Sequence, residues 1–160
     1  DAEVDAVFVP NYTQELILIA QQIRALGYEG QLICGLDACP PFNTLFGEPC
    51  DGIYFINNID GTEENIQAMV DAVLAGTGVE ATNKFFLGYD VMNILKGIFE
   101  EVGTDPADVR NAVENVAGYA GLTGSITIDP ATHMPKGLEM VMFKYEGTTP
   151  VMLERYAADQ

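Results

Sequence analysis

Residues 5–10, Asp-Ala-Val-Phe-Val-Pro, form a short apolar run stopped by proline. A run without polar alternation fits a parallel strand covered on both faces. Leu16, Ile19, Ala20, Ile23 and Leu26 then recur at helical spacing, with Thr13 placed to cap the helix and Gly27 to end it. Residues 31–35 and 52–56 predict two more apolar strands, separated by a proline-rich loop over 38–50 with room for one helical turn. The middle of the chain is helical in pattern. Ile66, Met69, Val70, Val73 and Leu74 mark a helix over 62–75, and Phe85, Tyr89, Met92, Leu95, Phe99 and Val102 a longer one over 83–102. Asp105-Pro106 opens a third, with Val109, Ala112, Val113 and Val116 as its inner face. Residues 125–129 alternate with period two, residues 138–145 form a longer strand, and 150–156 return as its hairpin partner. The order β-α-β-β-α-α-α-β-β-β predicts an α/β sheet finished by antiparallel strands.

Composition narrows the function. Of 160 residues, 48% are hydrophobic and 19% charged, enough apolar material for a real core and too much for a disordered chain. Seven Lys and Arg against 24 Asp and Glu leave a formal charge of -17, which repels nucleic-acid backbones and anionic lipid alike. No window approaches the ~18 apolar residues of a membrane span. The chain opens Asp1-Ala2-Glu3 without a signal peptide, which fits a mature chain or a piece of a longer one equally.

Catalytic chemistry finds little support. His133 is the single histidine and sits in a turn-rich stretch, and Ser125, the single serine, opens a strand without a nucleophile elbow. Gly118-Tyr-Ala-Gly-Leu-Thr-Gly124 lacks the lysine of a phosphate loop and precedes a strand. The acidic residues form no calcium-loop pattern, and the spacing of Cys34, Cys39 and Cys50 matches no zinc site, so no metal or cofactor is expected. A Cys39–Cys50 disulfide adding up to ~3 kcal/mol, or three unlinked thiols, both fit the spacing. Ligands of parallel α/β sheets collect beyond the carboxyl ends of the strands. Asn11 and Tyr12 follow the first strand; Leu36 and Asp37 follow the second. A carboxylate and a phenol on one rim suit an ammonium group. Helix capping by Asp37 and rim packing by Tyr12 explain the same residues without a ligand.

Several stretches, in order, resemble the later portion of the periplasmic leucine/isoleucine/valine-binding protein family, the type I substrate-binding proteins of ABC importers. They are Asp5-Ala-Val-Phe-Val-Pro-Asn-Tyr12, Ile23-Arg-Ala-Leu-Gly27, Leu32-Ile-Cys-Gly-Leu-Asp37, Gly52-Ile-Tyr-Phe55, Gly88-Tyr-Asp90, Gly103-Thr-Asp-Pro-Ala-Asp-Val-Arg-Asn-Ala112, Gly121-Leu-Thr-Gly-Ser-Ile-Thr-Ile-Asp129 and the strand opened by Lys136-Gly-Leu-Glu. Each is short; together they span almost the whole chain.

The resemblance implies an incomplete α/β three-layer sandwich of the type I periplasmic-binding-protein fold. Residues 1–82 would belong to the C-terminal lobe, 83–135 to the N-terminal lobe, and 136–160 would return to the C-terminal lobe. It implies a non-enzymatic protein that holds an amino acid, of branched-chain type or related, between two lobes. It would deliver that ligand to a membrane permease, outside the cytoplasm, in the periplasm or lipid-anchored at the surface. The family's acidic residue and tyrosine for the ligand amino group match Asp37 and Tyr12; Asn11 and Leu36 flank them, and Tyr89 is placed to line the cleft. A fragment of this kind would leave an apolar face uncovered, favouring a homodimer by exchange of elements. Three other readings remain: a ligand-sensing domain of a receptor or regulator, a small α/β enzyme, and an interaction module whose charge of -17 attracts basic partners.

Overall fold

The computed structural model describes residues 4–157, which divide into two compact units, residues 4–58 with 140–156, and residues 59–139. The first unit is built on a sheet. Three short apolar segments form β1 (Ala6–Val9), β2 (Gln31–Cys34) and β3 (Ile53–Asn57), joined in parallel. β7 (Glu139–Glu146) pairs antiparallel with β3, and β8 (Thr149–Ala157) completes the order β1-β2-β3-β7-β8. Proximity in sequence does not govern this order: Phe55 lies opposite Phe143, and their rings stack at 5.1 Å.

One face of the sheet carries the core. Val9, Leu32, Cys34, Ile53, Phe55, Val141, Phe143 and Tyr145 point to it, because alternate residues of a strand share a face. Helix α1 (Thr13–Ala25) buries Leu16 and Ala20 against them, and α2 (Phe42–Phe46) adds Phe42 and Phe46. The loop expected over 38–50 therefore contains that short helix, preceded by a 3-10 turn at Leu36–Ala38. Arg24, in the last turn of α1, donates to the carbonyls of Tyr28, Gly30 and Asp51 and fastens the helix end to the segments flanking β2.

Thr13 is not the cap of α1. Tyr12 occupies that position without a side-chain bond, and Thr13 is the first helical residue. The three cysteines are buried and unlinked, so the disulfide alternative is not realised. Burial pushes the Cys34 thiol up to about 12 against the lowering pull of Arg24, and burial with Asp51 pushes Cys50 up to about 11.

In the second unit, α3 (Glu64–Thr77) ends at Gly78, whose φ of 71° is a left-handed C-cap. α4 (Asn83–Val102) is the longest helix, and α5 (Pro106–Glu114) starts from Asp105, whose carboxylate accepts from the N–H groups of Ala107 and Asp108. β4 (Tyr119–Gly121), β5 (Gly124–Ile128) and β6 (Pro135–Lys136) form a small antiparallel sheet. The glycine-rich stretch 118–124 is thus a hairpin, with Gly121 opposite Gly124. Its turn is held by Asp90 of α4, 2% exposed, which accepts from the N–H groups of Leu122 and Thr123 and from the Thr123 hydroxyl at 2.7–2.8 Å. A Cβ on Gly121 would lie 2.5 Å from that carboxylate, so only glycine permits the approach. Helix α3 falls in this second unit, whereas the sequence resemblance groups its residues with the C-terminal lobe.

Candidate functional site

Ligands of open α/β sheets collect beyond the carboxyl ends of the parallel strands. In the first unit Pro10, Asn11 and Tyr12 leave β1, Gly35, Leu36 and Asp37 leave β2, and together with Glu15 they line an open cleft of about 560 Å³. The structure brings Asn11, Tyr12, Leu36 and Asp37 to one place. Tyr12 is 76% exposed and leaves its ring free for a ligand.

Asp37 sits in the first turn of the 3-10 segment, and two contacts hold that turn. The Thr13 hydroxyl lies 3.0 Å from the Asp37 carbonyl oxygen and 3.2 Å from its carboxylate Oδ1, so its single proton is shared between them. From the other side, the buried Tyr145 hydroxyl donates to the Ala38 carbonyl at 2.7 Å. The Tyr145 ring packs against Phe42 and Phe55, and burial raises its hydroxyl pKa, with the neighbouring Cys50, Cys39 and Cys34 adding to the shift. The phenol therefore stays protonated and acts as a fixed donor.

The cleft combines two carboxylates, Asp37 and Glu15, with a phenol, a carboxamide and the apolar surfaces of Leu36 and Pro10. It carries no cationic side chain among its lining residues, so its field favours a positively charged group. An ammonium fits this set: the carboxylate supplies charge, while the tyrosine and asparagine oxygens accept its remaining protons.

Sequence reasoning missed three contributors. Thr13 and Glu15 were visible as polar residues opening α1, a pattern that capping already explained. Tyr145 lies 107 residues from Ala38, and no local pattern links them. Tyr89 lies on α4 in the second unit, its ring tilted against Phe85 at 6.3 Å. His133 adopts a positive φ of 57° in an exposed turn, with Nε2 3.1 Å from Glu114, which also accepts from Arg110. Ser125 pairs with Ala120 in the hairpin. Among the described residues no group of three or more His, Cys, Asp or Glu is arranged to hold a metal ion. No helix among them is long and apolar enough to cross a membrane.

No protein-family model matches the sequence, and no curated protein does either. Solved structures do. The leucine-binding protein LivK of Thermotoga maritima superposes with a TM-score of 0.78 at 22% identity, over 94% of this chain and 44% of its own. The branched-chain amino acid transporter substrate-binding protein LivJ of Streptococcus pneumoniae, in complex with isoleucine, gives 0.80 at 20% identity, over 98% and 45%. This chain carries part of the leucine-binding-protein fold. It spans less than half the length of those proteins. A solute-binding protein of an ABC transporter from R. palustris, in complex with benzoate, matches with a TM-score of 0.77 at 20% identity, over 98% and 44%. Proteins of this fold therefore hold ligands with and without an ammonium group, and the fold alone does not choose between them.

Proposed function

We propose that the chain is part of a two-lobed solute-binding protein of an ABC importer, and that its cleft receives the ammonium group of an amino acid of branched-chain or related type. The first unit would contribute to the C-terminal lobe and the second to the N-terminal lobe. The observation that carries this reading is the tethered Asp37, held by Thr13 and accompanied by Tyr12, Asn11 and Glu15 in a cleft without a lining cation. Asp37 pairs with the ammonium, Tyr12 and Asn11 accept from it, and Leu36 meets the aliphatic carbon beside it. The protein binds and releases its solute unchanged, and the closed form docks on a membrane permease. Its place of action is outside the cytoplasm, in the periplasm or lipid-anchored at the surface.

Calorimetry on the complete two-lobed protein with L-leucine and L-isoleucine tests this. Asp37→Ala should weaken binding ~100-fold or more, because the ammonium is left without its charged partner. 2-Hydroxy-4-methylpentanoate, which replaces the ammonium by a hydroxyl, should lose affinity for the wild type as well. Unchanged affinity in either arm removes Asp37 from the ligand.

A further inference from the structure

The cleft beyond β1 and β2 holds two carboxylates, and the chain treats them differently. Asp37 is tethered, its carbonyl and carboxylate oxygens sharing the Thr13 hydroxyl. Glu15 lies two residues further along α1, about 200° around the helix axis, and takes no part in that tether. Among the described residues it has no hydrogen-bond or ion-pair partner. It is exposed, and it lines the cleft with Tyr12, Leu36 and Asp37. No lining cation offsets either charge. Arg24 is committed to the carbonyls of Tyr28, Gly30 and Asp51, while Arg110 and Lys144 are paired with Glu114 and Glu146. An acid in the first turn suits the positive end of any helix. This one also stands in a cleft that already has a carboxylate for its ligand.

We propose that Glu15 is the charge selector of this cleft. It ranks solutes by the charge at the end of their side chain, cationic above neutral and neutral above anionic, and gives a terminal ammonium or guanidinium its own seat. The proposal rests on the reading that Asp37 receives the α-ammonium, and it adds the charge preference which that reading leaves open. A single ammonium needs a single carboxylate. With Asp37 so engaged, Glu15 is a second negative charge that a neutral side chain leaves unanswered. A side chain ending in a cation answers it, with its methylene stem laid on the apolar surfaces of Leu36 and Pro10. A side chain ending in a carboxylate meets two like charges and no cation, the repulsive element by which a site rejects a wrong partner. The rest of the molecule works in the same direction, since its net charge of -17 draws cations and repels anions. Structures of this fold hold isoleucine in one case and benzoate in another, so the backbone leaves the choice of charge to the lining side chains.

Competition calorimetry on the complete two-lobed protein tests this with L-lysine, L-norleucine and L-2-aminoadipate. Their side chains are unbranched and end in an ammonium, a methyl group and a carboxylate. Glu15 is exposed, so solvent screens it and the shifts are modest. Glu15→Gln should lower the affinity ratio of lysine to norleucine about twofold to fivefold, and raise that of 2-aminoadipate to norleucine by a similar factor. Glu15→Lys should move both ratios further in the same directions. Both shifts should be larger at about 0.02 M salt than at about 0.5 M, as a charge acting through solvent requires. Ratios unmoved by either substitution, or shifts indifferent to salt, would reject the selector. So would a wild type that takes norleucine and excludes lysine. Asp37→Ala separates the two readings. Loss of all three solutes with Asp37→Ala, joined to constant ratios with Glu15→Gln, fails the selector alone. A wild type that binds none of the three, or an Asp37→Ala variant that binds as the wild type does, fails the ammonium reading and the selector with it.

Discussion

In the unit built on the five-stranded sheet, fifteen buried residues from β1, α1, β2, the 3-10 turn, α2, β3 and β7 and the loops between them join one cluster. In the other unit only Ile59, Ile66 and Phe86 do so, while α4 leaves Leu87, Val91, Met92 and Phe99 largely open. The contrast comes from architecture. A sheet collects inward-facing residues from distant parts of the chain, whereas three amphipathic helices and a small hairpin need a further layer to close on. Polar fastening takes a larger share where apolar closure is thin. Asp90, with three hydrogen bonds to the hairpin turn, is the clearest case.

The largest effect should come from the centre of the sheet core. Phe55→Ala should cost ~3–5 kcal/mol in urea unfolding, since the Phe143 and Tyr145 rings lose their neighbour and a cavity remains. Phe86→Ala should cost less, because its smaller cluster can collapse more easily; equal losses would erase the contrast. Asp90→Ala should cost ~2–4 kcal/mol and deprotect the amides of Leu122 and Thr123 in hydrogen exchange, since buried donors are left unpaired. Undisturbed protection there would show the hairpin to be held by packing alone.

Alkali should separate the units too, since all three cysteines lie in the first. The folded pKa values of Cys34 and Cys50 are raised, so their unfolded thiols ionise first. The stabilisation is complete below about pH 9 and is lost as pH climbs towards about 11 for Cys50 and about 12 for Cys34. Amide exchange of the sheet against pH measures it, and a loss spread equally over both units would contradict the assignment. The smallest change is Tyr145→Phe, at ~1 kcal/mol, because the ring stacking survives and only the bond to Ala38 is lost.

Much of the scaffold was legible from local pattern. The apolar runs marked β1, β2 and β3, and helical spacing marked α1, α4 and α5 close to their observed bounds. The short α2 was visible only as room for one helical turn, and β4 and β6 were not visible, since so few residues carry no readable period and the glycines around β4 look the same in a loop as in a tight hairpin. The cleft was half visible. Strand ends pointed to Asn11, Tyr12, Leu36 and Asp37, because ligand position in such sheets follows topology. What orients Asp37 was hidden, since a hydroxyl that opens a helix reads as a cap until Tyr12 is seen to take that position. The neighbouring turn depends on a tyrosine that only tertiary structure brings near.

That tyrosine has a bearing on how the molecule is made. Synthesis runs from the amino end, so the 3-10 turn bearing Asp37 emerges more than a hundred residues ahead of the phenol that anchors Ala38. A nascent polypeptide stopped before β7 lacks both the fourth strand in the order and the hydroxyl that steadies the rim. The cleft is therefore among the last parts of its unit to mature, and a truncation that removes β7 would loosen its rim without removing a single residue that lines it.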